Sequence, residues 1–240
     1  MKKFGLIGGT SWHSTIDYYS LINEMTNKNF KNNSNPPLRL VNLNQKQIHD
    51  CQRRDDWDSI ANILTGAALE LQSLQVEGIA FCANTPHRVY KQVQEQIDVP
   101  ILHIADSVGE FCQKQKIQKL GLLGTVFTME HGFIKDILLE KYDVTCLIPQ
   151  KTERQEIQRI LYDELSMGNF STEARQYFLE IIKKLADKGT QSIMLGCTEF
   201  PILLRDSSTP CPMINSTQCH ANAIVNFILN KDVIIEEFEQ

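Results

Sequence analysis

The chain has 240 residues, 42% hydrophobic and 22% charged, and its 24 Lys and Arg against 29 Asp and Glu give a net charge of −5. That length suits one large α/β domain or two small ones with sizeable cores. The charge balance lacks the basic surface that nucleic acid requires, and no apolar run nears the ~18 residues of a membrane span, so neither partner is expected.

The first strand is expected at Lys3–Ile7, inside MKKFGLIGGTSWHS. Its apolar run breaks at Gly8-Gly9, too soon for a secretory signal, so a cytoplasmic protein is expected. GGTS then opens a helix expected to begin near Ser14. Residues 27–37, NKNFKNNSNPP, read as a polar loop ending in two prolines. A strand follows at Leu38–Leu43. Ile60, Ile63, Leu64, Ala67 and Leu71 recur on one helical face. Strands are next expected at Gly78–Cys82, Ile101–His103, Leu120–Leu123 and Val144–Leu147. Phe178, Ile181, Ile182 and Leu185 form a second helical stripe. Ser192–Leu195 and Met213–Ile214 read as the last strands. A final helix from His220 to about Asn230 is expected to pack on the first half, and IIEEFEQ reads as a solvated acidic tail. Short apolar strands alternating with helices predict an α/β fold with parallel sheets.

An internal repeat organises these elements. KFGLIGGTS resembles KLGLLGTVF, with Lys3 over Lys119. GIAFCANTP resembles SIMLGCTEF, with Ile79 over Ile193. VPILH resembles CPMIN, with His103 over Asn215. The offsets drift by only a few residues, and the order is kept. Two pseudo-symmetric lobes are therefore expected, each a parallel sheet flanked by helices: 1–103 with the C-terminal helix 216–240, and 104–215.

In parallel α/β sheets, ligands bind beyond the carboxyl ends of the strands. Four polar turns fall there: GGTSWHST (8–15), CANTPH (82–87), GTVFT (124–128, with Thr125) and GCTEFP (196–201). A pseudo-twofold would gather them in a cleft between the lobes. Each turn alone is equally a strand-to-helix cap. Together their free N–H groups and hydroxyls suit an anion. Phosphate-binding glycine fingerprints, HExxH and GxSxG are absent from the sequence. The seven cysteines include no CxxC and no zinc spacing, so no metal is expected and the thiols are read as reduced. Thiol chemistry is left as the sharpest enzymatic reading.

GLIGGTSW, CQRRDDWD, CANTPH, LHIADSVG, LLGTVFTMEHGF and GCTEF together resemble the aspartate/glutamate racemase family, and are closest to its L-aspartate/L-glutamate branch. The resemblance covers nearly the whole chain. It implies two pseudo-symmetric lobes, a small acidic amino acid as substrate, no pyridoxal phosphate or metal, and a homodimer. It also implies proton transfer at the α-carbon between two thiols on opposite faces. A free thiol titrates near ~8.5, and a helix N-terminus is expected to lower that value. Cys197 matches one family thiol. Asn84, Thr85 and Thr198 match substrate contacts, and Thr10 lies where the family's first turn meets substrate. Gln52 and Arg53, with Arg54 beside them, resemble the stretch that reaches a substrate carboxylate. Glu199 is either a brace for Cys197 or an exposed turn carboxylate. Asn215 and His220 either tune the second-lobe thiol or pack, and His87 is expected to make a structural hydrogen bond.

The chain departs from the family pattern at one position. The family's first catalytic residue precedes NT, and here that residue is Ala83; some relatives carry threonine there. The repeat agrees, since Ala83 mirrors Cys197 while Cys82 mirrors Gly196. Consecutive side chains of an extended segment point to opposite faces, so Cys82 is expected inside its lobe unless the strand end twists. The readings left open are a racemase impaired at one face, with Cys82 or water in the missing role, a single-thiol lyase or isomerase acting through Cys197, and a non-catalytic amino-acid-binding protein.

Overall fold

The computed structural model describes residues 1–231, so the expected acidic tail at 234–240 lies outside the described residues. The chain divides into two units, 1–104 with the residues from 217 onward, and 105–216.

In the first unit, β1 (Phe4–Gly8) leads to α1 (Trp12–Phe30), β2 (Leu38–Asn42), α2 (Gln45–Arg53), α3 (Trp57–Ser73) and β3 (Gly78–Phe81). A 3-10 turn at Thr85–Val89 and α4 (Tyr90–Gln94) follow. The sheet is parallel, in the order β2-β1-β3, with Phe4 opposite both Leu38 and Gly78. Strand alternation sorts its core into two faces. Ile7, Ile79 and Phe81 pack with Ile60, Leu64 and Leu71 of α3. Phe4, Leu6, Ala80 and Cys82 pack with Tyr18 and Ile22 of α1, and with Ile224 and Val225 of the last helix. A fully buried side chain of this size contributes roughly 1.5–3 kcal/mol relative to exposure, so both helical layers are needed to cover the sheet.

The second unit runs α5 (Ile104–Lys114), β4 (Lys119–Leu123), α6 (Val126–Glu130), α7 (Gly132–Tyr142), β5 (Thr145–Leu147) and α8 (Lys151–Asp163). After a short 3-10 turn come α9 (Thr172–Asp187), β6 (Ser192–Leu195), α10 (Glu199–Leu203) and β7 (Met213–Asn215). Its sheet is parallel in the order β5-β4-β6-β7. The stripe Phe178, Ile181, Ile182 and Leu185 is wholly buried. The last helix, α11 (Ser216–Leu229), supplies Ala221, Ile224, Val225 and Ile228 to the first unit's core.

The two sheets share one connectivity. Each has its first strand in the middle, its second on one side and its third on the other. The fourth station differs. Ile101 makes a single parallel bridge to Ile79, where a strand over 101–103 was expected. Leu102 N–H still donates to Ile79 O at 2.8 Å, but Leu102 O accepts from the His220 imidazole at 2.9 Å and α5 begins at Ile104. The side chain takes the carbonyl, and the helix takes the chain that would extend the ladder. Two other boundaries also move. α1 starts at Trp12 because Ser11 Oγ accepts the Ser14 N–H at 3.3 Å and caps the helix. It continues to Phe30, into the segment read as loop, and stops where Lys31 turns left-handed and donates to Asn27 O.

Candidate active site

The two mirrored turns can be compared bond by bond. After β3, the Cys82 N–H donates to Ile7 O at 2.9 Å. After β6, the Gly196 N–H donates to Leu123 O at 2.7 Å. These bonds fix Cys82 and Gly196 as equivalent positions, and therefore Ala83 and Cys197. A Cβ at Gly196 would sit 2.7 Å from Leu123 O, so this position faces into its unit and has no room for a side chain. At the first turn the same inward direction has room, and Cys82 fills it. Cys82 is fully buried among Phe4, Leu6, Tyr18 and Ala80. Burial alone pushes its thiol far above the ordinary range.

Cys197 is partly buried. Its thiol donates to Glu199 Oε2 at 3.0 Å, and Thr198 Oγ1 donates to the same oxygen at 3.2 Å. Burial raises the Cys197 pKa well above the ordinary thiol value, and the charge and hydrogen bond of Glu199 raise it further. The N–H groups of Glu199 and Thr198 pull the other way with less effect. The lowered thiol pKa expected from the sequence is thus reversed. α10 spans only Glu199–Leu203, and its N-terminal attraction is outweighed first by burial of the sulfur and then by a carboxylate two residues away. Chemically, this pair is a thiol with a proton acceptor already aligned on it.

The remaining turn residues divide by how their polar atoms are used. Thr125 caps α6, its Oγ1 accepting the Thr128 N–H at 3.2 Å. Thr10 is 8% exposed, and its Oγ1 has no hydrogen-bond partner among the described residues. A buried hydroxyl without a partner costs roughly 1–3 kcal/mol, so it stands ready for a ligand atom. Gly9, with φ of +79°, makes that turn possible, because a Cβ there would strike Leu43 O. Asn84 is buried and Thr85 half-buried, at the start of the 3-10 turn.

Gln52 is half-buried on α2, and Arg53 beside it is exposed with its guanidinium on Asp50. Arg54 Nη2 lies 3.6 Å from Cys51 Sγ and 3.9 Å from Asp56. A groove of about 620 Å3 between α2 and α3 takes in Lys46, Asp50, Cys51 and Arg54, but neither Gln52 nor Arg53 nor any of the four turns. Asn215 closes β7, paired beside Leu195.

His220 packs. Tyr18 Oη lies 2.7 Å from its Nδ1, Leu102 O lies 2.9 Å from its Nε2, and it is fully buried in the first unit. Burial, then the neighbouring His87, lowers its pKa to about 3. His87 also contacts His103, with ring centroids 4.5 Å apart. Sequence reading did not join these three histidines. The available signal was that His87 follows one strand station of the first half and His103 ends the next.

The chain matches the Asp/Glu/hydantoin racemase family over residues 7–224. It belongs to that family. A Yersinia pestis crystal structure described as an Asp/Glu racemase candidate is 37% identical, covering 95% of this chain and all of that one, with a TM-score of 0.90. An aspartate racemase homologue from Pyrococcus horikoshii is 33% identical over 95% of this chain and all of that one, with a TM-score of 0.83. The broad specificity amino-acid racemase RacX of Bacillus subtilis is 23% identical over 72% of this chain and 74% of that enzyme. As in these racemase-family structures, the fold is two parallel sheets flanked by helices. Among the described residues, no helix is long and apolar enough to cross a membrane. No group of three or more His, Cys, Asp or Glu among them could hold a metal ion.

Proposed function

We propose that the chain is a cofactor-independent racemase of acidic amino acids, aspartate or glutamate, with Cys197 as the acid/base thiol. The observation that carries this reading is the Cys197–Glu199 hydrogen bond in a family of amino-acid racemases. In the proposed reaction the Cys197 thiol first releases its proton to solvent through the Glu199 carboxylate. The thiolate then takes the α-hydrogen of the substrate. The electron pair of the broken C–H bond passes into the adjacent carboxyl group, giving an enediolate. Inversion is completed when a water molecule delivers a proton to the opposite face, replacing the one released at the start. Thr10, Asn84, Thr85, Thr125 and Thr198 are the proposed contacts of the α-amino and α-carboxylate groups. Gln52 and Arg53 are proposed for the side-chain carboxylate, which a guanidinium suits.

Ala83 supports a second reading, because a methyl group has no proton to give at the position mirroring Cys197. In that reading Cys197 works alone, and the product is exchanged or isomerised without inversion. One experiment separates the readings. The protein is incubated with L-aspartate and L-glutamate in deuterated water, and α-deuteration and handedness are followed together. Deuteration with inversion supports the racemase. Deuteration with retention supports one-base chemistry. Thermal stabilisation by the amino acid without deuteration supports a binding protein. Full activity in Cys197→Ser would remove the central assignment.

A further inference from the structure

We propose that His87 is a positioning residue: a neutral imidazole, protonated on Nδ1, that clamps the turn Ala83–Asn84–Thr85. Its role in ligand binding rests on the reading above; its tautomer and its grip on the turn do not.

The ring is 1% exposed. The backbone N–H of Ile104 donates to its Nε2 at 3.2 Å. An amide N–H can only donate, so Nε2 must present its lone pair. The proton therefore sits on Nδ1. That atom lies 3.0 Å from the carbonyl oxygen of Ala83 and 3.2 Å from that of Asn84. Both are acceptors, which suits a donor shared between them. An imidazolium would set an Nε2–H against the Ile104 N–H, so the site opposes a second proton. Phe81 and His103 meet the ring edge-to-face, with centroids 5.1 and 4.5 Å away, and fix its orientation.

The consequence falls on the turn. Holding the Ala83 and Asn84 carbonyls fixes the peptide planes that carry the side chains of Asn84 and Thr85. The clamp also ties this turn to Ile104, where the chain leaves the first unit. The second unit solves the same problem differently. Its position equivalent to His87 is Pro201, which has no side-chain donor, and its turn is held through the Glu199 carboxylate instead. The first turn is thus held from beneath by a ring that touches its backbone, the second by its own acidic side chain.

The test uses the full chain. Long-range proton–nitrogen NMR of protein labelled at histidine nitrogens should show His87 as the Nδ1–H tautomer from about pH 5.5 to 8. An Nε2–H tautomer or an imidazolium in that range overturns the proposal. In parallel, His87→Ala and His87→Asn are compared, because the asparagine amide keeps a donor near the place of Nδ1. His87→Ala should weaken L-aspartate binding and slow α-deuteration by roughly tenfold or more, through a misplaced turn. His87→Asn should recover most of that loss. A folded His87→Ala with wild-type binding and exchange, or a His87→Asn no better than alanine, also overturns it. If the wild-type protein neither binds nor deuterates acidic amino acids, the functional reading fails by itself, and the tautomer spectrum still decides the clamp.

Discussion

The Cys197 thiol donates to Glu199 Oε2 across 3.0 Å, between residues two apart in the chain. The carboxylate opposes formation of the thiolate and also offers its proton somewhere to go. α-Deuteration is therefore expected to rise with pH and to keep rising past ~8.5, where a free thiol would level off. Glu199→Gln removes the negative charge, so the thiol titrates lower and the rise moves to lower pH. A pH profile of kcat/KM for both proteins checks this, and superimposable profiles would end the assignment. Cys197→Ser should reduce deuteration by roughly a hundredfold or more, since serine is a far weaker acid than cysteine.

Ala83 mirrors Cys197 through matching hydrogen bonds at Cys82 and Gly196. Ala83→Cys adds a proton carrier at the mirrored position. The ratio of inversion to simple exchange should rise by roughly a hundredfold or more, in line with the contribution of a positioned acid. Chiral analysis of aspartate after deuteration measures that ratio. An unchanged ratio means the missing proton comes from elsewhere.

Cys82 is fully buried in an apolar cluster. Cys82→Ala should cost about 1–2 kcal/mol of unfolding free energy through the lost packing, with α-deuteration nearly intact. Urea titration and the exchange assay together separate packing from chemistry. A stable variant that still exchanges but no longer inverts would make Cys82 the second acid after all.

Thr10 keeps a buried hydroxyl with no partner among the described residues. Thr10→Val removes it at nearly constant shape. Stability should hold or rise slightly, while L-aspartate binding weakens by roughly tenfold, the worth of one hydrogen bond to a charged group. Calorimetry with the amino acid gives the answer; unchanged affinity removes Thr10 from the site.

His220 is held neutral by burial, with a pKa lowered to about 3. In the unfolded chain it titrates near ~6.5, so between these values the unfolded state binds more protons. Its contribution to stability is complete above ~6.5 and is lost as pH falls toward the folded value. At pH 4.5 the loss should reach about 2–3 kcal/mol. His220→Gln lowers stability at neutral pH but flattens the acid limb. Urea titrations from pH 4 to 7.5 compare the two slopes.

The positions of the central strands were legible because each is an unbroken apolar run, as in FGLIG, and parallel strands buried on both faces need no other signal. The mirrored position of Ala83 was legible too, because the repeat kept its spacing through both turns. The charge state of Cys197 was not. A helix start is visible in sequence, but whether Glu199 turns back onto the sulfur depends on a rotamer. The loss of the strand at 101–103 was equally hidden. It depends on His220, distant in the chain, taking a carbonyl from Leu102. The histidine cluster escaped for the same reason: its members are separated in sequence, and His220 joins the other two only when α11 folds back.

Gly196 has a consequence for how such a protein could change its chemistry. The inward slot it occupies is closed to any side chain by the carbonyl of Leu123, whereas its counterpart in the other half tolerates sulfur. A thiol can thus drift into residue 82 as filling, with no counterpart arising at 196. Restoring a matched pair of reactive groups would then hinge on the single methyl of Ala83, in a turn whose backbone bond still mirrors that of its counterpart.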